Sequence, residues 1–183
     1  MRRILLCYWL SLLTSIPAHA VTFQPVINDA HVILQNGLYV LHADIDYPLS
    51  PSAKEALLKG IILSWNIPIH VKEHRSLLWN KEVYSNELHY QIRYYALLNI
   101  YRVKTDHQSQ PSNFSSLSNA LNSIATLTIP LLPETDLSKT KSYQAEFRIV
   151  FNRNALPIPL RPLTYFDSNW YLSSEWFICS LPK

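Results

Sequence analysis

His42, Asp44 and Asp46 stand two residues apart in the stretch His42-Ala43-Asp44-Ile45-Asp46. In an extended chain this spacing puts all three on one face, with the two carboxylates about 6.6 Å apart along the strand. Paired carboxylates can bind calcium or serve as acid and base. Polar residues are also the ordinary covering of a half-solvated antiparallel sheet. Arg93, Glu146 and Arg148 lie on the polar faces of other alternating segments. A cross-strand network of Asp44, Asp46, Arg93, Glu146 and Arg148 would therefore use the same residues structurally, and it is the expectation here. An enzyme or metal-ion site at Asp44, Asp46 and His42 is the alternative.

Two other patterns carry less chemistry than their letters suggest. His70-Val71-Lys72-Glu73-His74 matches the inverted zinc-peptidase signature. That motif needs a helix, where residues four apart share a face. The preceding residues, 61 to 69, alternate and include Pro68. On a strand the two imidazoles would be about 13 Å apart, too far to share one zinc. Ser173-Ser174-Glu175 has no G-x-S-x-G elbow around it. With two glycines in the whole chain, Gly37 and Gly60, a phosphate-binding loop is excluded. No catalytic residue and no cofactor is expected.

The chain of 183 residues opens with an address. Arg2 and Arg3 precede an apolar run from Ile4 to Leu13, and Ala18 and Ala20 place small residues at the -3 and -1 positions of a cleavage site. Residues 1–20 thus read as a secretory signal peptide, too short to anchor in a bilayer, and residues 21–183 as one domain. Export predicts a periplasmic protein beginning at Val21. Removing Arg2 and Arg3 from the 16 basic residues leaves 14 against 13 acidic ones, too balanced for a nucleic-acid binder. Cys179 is the single cysteine left after Cys7 is removed, so no internal disulfide can form. Packing must hold the fold, and 12% aromatic residues supply it.

The elements that must position these residues are mostly strands. Tyr39, Leu41, Ala43, Ile45 and Tyr47 alternate with polar neighbours, as do Leu88, Tyr90, Ile92 and Tyr94, and Tyr143 through Phe151. Asn36-Gly37 reads as a type I′ turn joining two of them. Ser50-Pro51 begins a short helix that Gly60 closes. A second helix starts near Asn113, with Phe114, Leu117, Leu121 and Ile124 on one stripe. The fold class is mainly β, an antiparallel β-sandwich of immunoglobulin-like or C2-like appearance with two short helices. Tyr90, Ile92, Phe147, Ile149, Trp170 and Trp176 are the expected core. Trp170 to Leu181 is apolar on both faces and predicts a buried last strand. Pro157 and Pro159 predict an extended, protected approach to it.

Five motifs in order, ADIDYPLSPSAKEALLKGIIL, YQIRYYALLNIYRV, FSSLSNAL, ALPIPLRP and WYLSSEWF, resemble the proteobacterial domain-of-unknown-function family 4390. The resemblance runs from about Ala43 to Leu181. It implies an exported protein with no assigned activity, whose genes often neighbour an RNA methyltransferase and a sensor kinase. It supplies no catalytic residues, and the family often has glycine where Glu175 stands. The expected function is a non-catalytic binding or adaptor module for an envelope protein, with a sensor kinase as one such partner. An apolar-ligand site between the sheets, using Trp65, Trp79 and the tyrosines, is a further alternative.

Overall fold

The computed structural model describes residues 22–106 and 108–182. The segment 1–20, its cleavage residues Ala18 and Ala20, and Val21 lie outside the described residues.

Alternating residues form long antiparallel strands where the alternation predicts them. β1 (Val26–Gln35) and β2 (Leu38–Asp46) are joined at Asn36 and Gly37, with φ of 52° and 76°. Two successive positive φ values are what a type I′ turn requires, and Asn-Gly tolerates them. β7 (Thr126–Pro133) pairs with β2 to complete a sheet of order β1-β2-β7. The larger sheet has seven strands in the order β10-β8-β3-β4-β5-β6, with β9 also on β3. Its members are β3 (Leu63–Glu73), β4 (Lys81–Tyr95), β5 (Ile100–Thr105), β6 (Ser112–Phe114), β8 (Tyr143–Phe147), β9 (Val150–Phe151) and β10 (Phe177–Ser180). His70 lies within β3, so the zinc-peptidase pattern is extended and not helical.

The two sheets enclose one apolar cluster. Leu41, Ile45, Leu127 and Ile129 come from the small sheet, and Trp65, Ile67, Ile92 and Phe147 from the large one. Tyr47 meets Trp65 edge-on at 5.5 Å between ring centres, bridging the layers. The fold is thus mainly β, antiparallel and sandwich-like. Of the expected core, Tyr90, Ile92, Phe147, Ile149 and Trp170 are buried.

Ser50 caps α1 (Pro51–Leu58) by accepting from the Ala53 amide at 3.1 Å, with proline in the first turn. Its hydroxyl also donates to the Asn169 carbonyl at 2.6 Å, tying the helix to the C-terminal segment. α2 (Leu117–Ala125) begins later than Asn113, because residues 112–114 pair with β5 as β6 and Ser116 supplies the cap. A third helix, α3 (Leu163–Phe166), was not evident in the sequence. It follows a 3₁₀ turn at Ile158–Leu160, so the Pro157/Pro159 stretch is coiled and not extended. Proline's fixed φ suits the start of such turns as well as extended chain. Among the described residues no helix is long and apolar enough to cross a membrane.

The last strand departs most from expectation. Trp170 is buried in a 3₁₀ turn, but Trp176 is 41% exposed and Ile178 57%. The assignment of Trp176 to the core is therefore wrong. Among the described residues β10 is an edge strand that pairs only with β8, and one of its faces is open to solvent. Phe177 and Cys179 turn inward and pack on the core, while Trp176 and Ile178 turn outward. Two apolar faces predict a strand buried on both sides; here one of them is displayed.

Candidate functional site

The displayed tryptophan is held by a series of local devices. Trp170 packs on Phe151, their rings 6.0 Å apart. Leu172 is buried, and its carbonyl accepts from the Trp65 indole N–H at 3.1 Å. Ser173 Oγ then accepts from the Phe151 amide and Ser174 Oγ from the Ile149 amide, each at 2.9 Å. The Ser174 amide donates back to the Ile149 carbonyl at 2.8 Å. Two serine hydroxyls thus stand in for strand carbonyls where β8 breaks before β9. The serine pair is a strand-pairing device, which accounts for its lack of a nucleophile elbow. From this anchored stretch the chain enters β10 with Trp176 outward.

On the outer face of the large sheet Trp176 meets two side chains. The Arg148 guanidinium lies over its ring at 4.7 Å, and the His70 ring centre is 5.7 Å away. Arg148 Nε is buried without a hydrogen-bond partner, and among the described residues no carboxylate pairs with Arg148. Trp and Arg are the residue types that dominate protein-binding energetics. Arg on an aromatic face is also pre-organised for planar recognition.

The expected polar network does not form. Glu146 pairs with Lys72, the neighbour two residues along from its register partner His70. Arg93 lies over Tyr95 at 5.0 Å, on a distant strand of the same sheet. Asp44 and Asp46 belong to the other sheet, where Asp44 faces Asp29 and Thr126, and Asp46 faces Val26. A sandwich separates the outer faces of its two sheets, so polar residues from both cannot meet.

His42 is engaged by residues of the two neighbouring strands. Its ring stacks on His31 at 5.7 Å, and its Nδ1 lies 3.3 Å from Thr128 Oγ1. His31 donates to Asp29 at 3.0 Å. Among the described residues no three His, Cys, Asp or Glu side chains stand where they could share a metal ion. Ser85, His70 and Glu82 look like a relay, but Ser85 Oγ and Glu82 Oε2 both approach His70 Nδ1, at 3.1 and 2.8 Å. A triad needs its base between nucleophile and acid, one on each ring nitrogen. Burial pushes the Cys179 thiol up to about 11, the opposite of what a thiolate nucleophile needs.

A cavity of about 470 Å³ opens beside Tyr39, His74, Lys139, Lys141 and Tyr143. Its cations are already matched, Lys139 with Glu134 and Lys141 with Glu73, each at 3.0 Å. Trp65 is sealed in the core and Trp79 stands 94% exposed on the β3–β4 loop, so the two do not line a common apolar site.

The match to a family model covers residues 24–180 and carries the description Domain of unknown function (DUF4390). The chain belongs to that family. No curated protein and no solved structure matches it.

Proposed function

We propose that the protein is an exported, non-catalytic binding module that works in the periplasm and docks on an envelope protein through the Trp176 face. The observation that carries the reading is the outward Trp176 held against Arg148, a cation that no carboxylate pairs among the described residues. A partner's carboxylate at the solvent-accessible part of the half-buried Arg148 would pair this cation. Ile178 beside it extends the apolar area. The address-like residues 1–20 support export. The extracytoplasmic part of a sensor kinase is one partner of this kind.

A test compares tagged wild type with Trp176→Ala and Arg148→Glu after capture from cells under mild crosslinking. An envelope protein recovered with wild type and lost with both variants, while both retain the parent's circular dichroism, supports the reading. Equal recovery from all three chains refutes docking through this face.

A further inference from the structure

The β4–β5 hairpin carries its own anomaly. Turns favour glycine, proline and small polar residues, yet residues 96–98 are Ala96, Leu97 and Leu98. Leu97 is fully exposed and Leu98 63% exposed. The tip is nonetheless well formed. The Leu98 amide donates to the Tyr95 carbonyl at 3.2 Å, the Asn99 amide to the Ala96 carbonyl at 3.3 Å, and the Tyr94 hydroxyl to Asn99 Oδ1 at 2.8 Å. Asn99 takes the left-handed conformation, φ 51°, that asparagine tolerates. Two leucines are therefore held out into solvent by an ordered turn.

Behind the tip, Arg93 and Arg102 are register partners on β4 and β5. Like charges directly opposite one another destabilise a sheet. Both guanidiniums lie over the Tyr95 ring, at 5.0 and 4.5 Å, and Arg102 Nε donates to Asn113 Oδ1 at 3.0 Å. Among the described residues no carboxylate pairs with either. Paired guanidiniums suit a phosphate oxygen pair.

We propose that this hairpin docks on an anionic phospholipid surface, with Leu97 and Leu98 entering the acyl boundary and Arg93 and Arg102 binding lipid phosphates at the collar around Tyr95. The dimensions are compatible: each arginine is four residues from a leucine, at most about 13 Å if fully extended and less across the turn, and interfacial elements bury their apolar side about 5–10 Å deep. Tyrosine at that level matches its preference for the membrane interface. A tip of two leucines is too small for a stable protein interface, which needs roughly 800 Å² per partner, whereas a bilayer demands no complementary pocket. The other apolar tip, Leu77 to Trp79, lacks this charge pattern, because Arg75 and Lys141 are both engaged by Glu73.

The test is co-sedimentation of the full chain with vesicles containing about one third phosphatidylglycerol or phosphatidylcholine alone. The anionic vesicles should be preferred, with the preference fading at high salt. Leu97→Asp with Leu98→Asp should weaken binding about tenfold or more, and Arg93→Gln and Arg102→Gln about fivefold each; Leu77→Asp should leave it unchanged. As a readout that does not rest on comparing partition, Leu98→Trp should add emission that shifts to the blue on anionic vesicles and is quenched by brominated acyl chains. Unchanged binding by the tip and arginine variants overturns the proposal. So does an unshifted Leu98→Trp signal, including the case where inorganic phosphate alone binds in an arginine-dependent way.

Discussion

Replacing Ser173 and Ser174 with alanine tests whether this pair builds the platform. Each hydroxyl is the acceptor for one backbone amide, Phe151 for Ser173 and Ile149 for Ser174. Both donating residues are buried, so water cannot take the hydroxyl's place without opening the strand edge. Leaving a buried donor unpaired costs about 1–3 kcal/mol. The double variant should therefore lose about 2–6 kcal/mol of a total of roughly 5–15 kcal/mol. At 2–4 °C per kcal/mol for a chain of this size, the melting temperature should fall by about 5–20 °C. Urea unfolding measures the loss, and hydrogen exchange locates it at the Ile149 and Phe151 amides. Ser174→Thr keeps the acceptor and should stay close to the parent. A double variant with the parent's urea midpoint and unchanged exchange at both amides would refute the strand-pairing role.

Other outcomes follow from burial and charge. Trp65→Ala removes a fully buried ring and its hydrogen bond to Leu172, and should cost about 3–5 kcal/mol in urea unfolding. Trp176→Ala should cost about 2 kcal/mol or less, because much of that ring already faces solvent. Hydrogen bonding from Lys141, and with it Arg75, holds the Glu73 carboxyl below the usual carboxylate range, against the opposing effect of desolvation. A depressed folded value means stabilisation that is present above the unfolded value and lost as pH falls through the folded one. Glu73→Gln should therefore flatten the parent's loss of stability below about pH 4, read from urea midpoints at a series of pH values. Cys179, with its thiol raised to about 11, should resist iodoacetamide at pH 8 in the folded protein and react on unfolding, as read by mass spectrometry.

The strands, the Asn36-Gly37 turn and the Ser50-capped helix were legible because each has a local cause. Alternation sets a strand's faces, left-handed φ selects Asn-Gly, and a serine before proline caps a helix. The family was legible from motif order, and the match over residues 24–180 bears it out. The site was not. Whether Trp176 is buried depends on which strand lies at the sheet's edge, and pairing order is not written in one strand's residues. The same limit defeated the polar network: Asp44 and Glu146 share a pattern of alternation, yet stand on different sheets. Ser173 and Ser174 gave no sign of their role, because they compensate a break in β8 that the alternation of Tyr143 to Phe151 conceals. One signal does stand in the sequence. Tyr94 through Leu98 breaks the period of two with five apolar residues, and the break falls at the hairpin tip.

The proposal that Trp176 faces a partner is tested most directly by a photo-crosslinking residue placed at that position in intact cells. Position 54, where Lys54 is exposed on α1, serves as the control. The account predicts a discrete adduct with one envelope protein from position 176, lost when Arg148→Glu is added and absent from position 54. No adduct from position 176, or the same adducts from both positions, would contradict it.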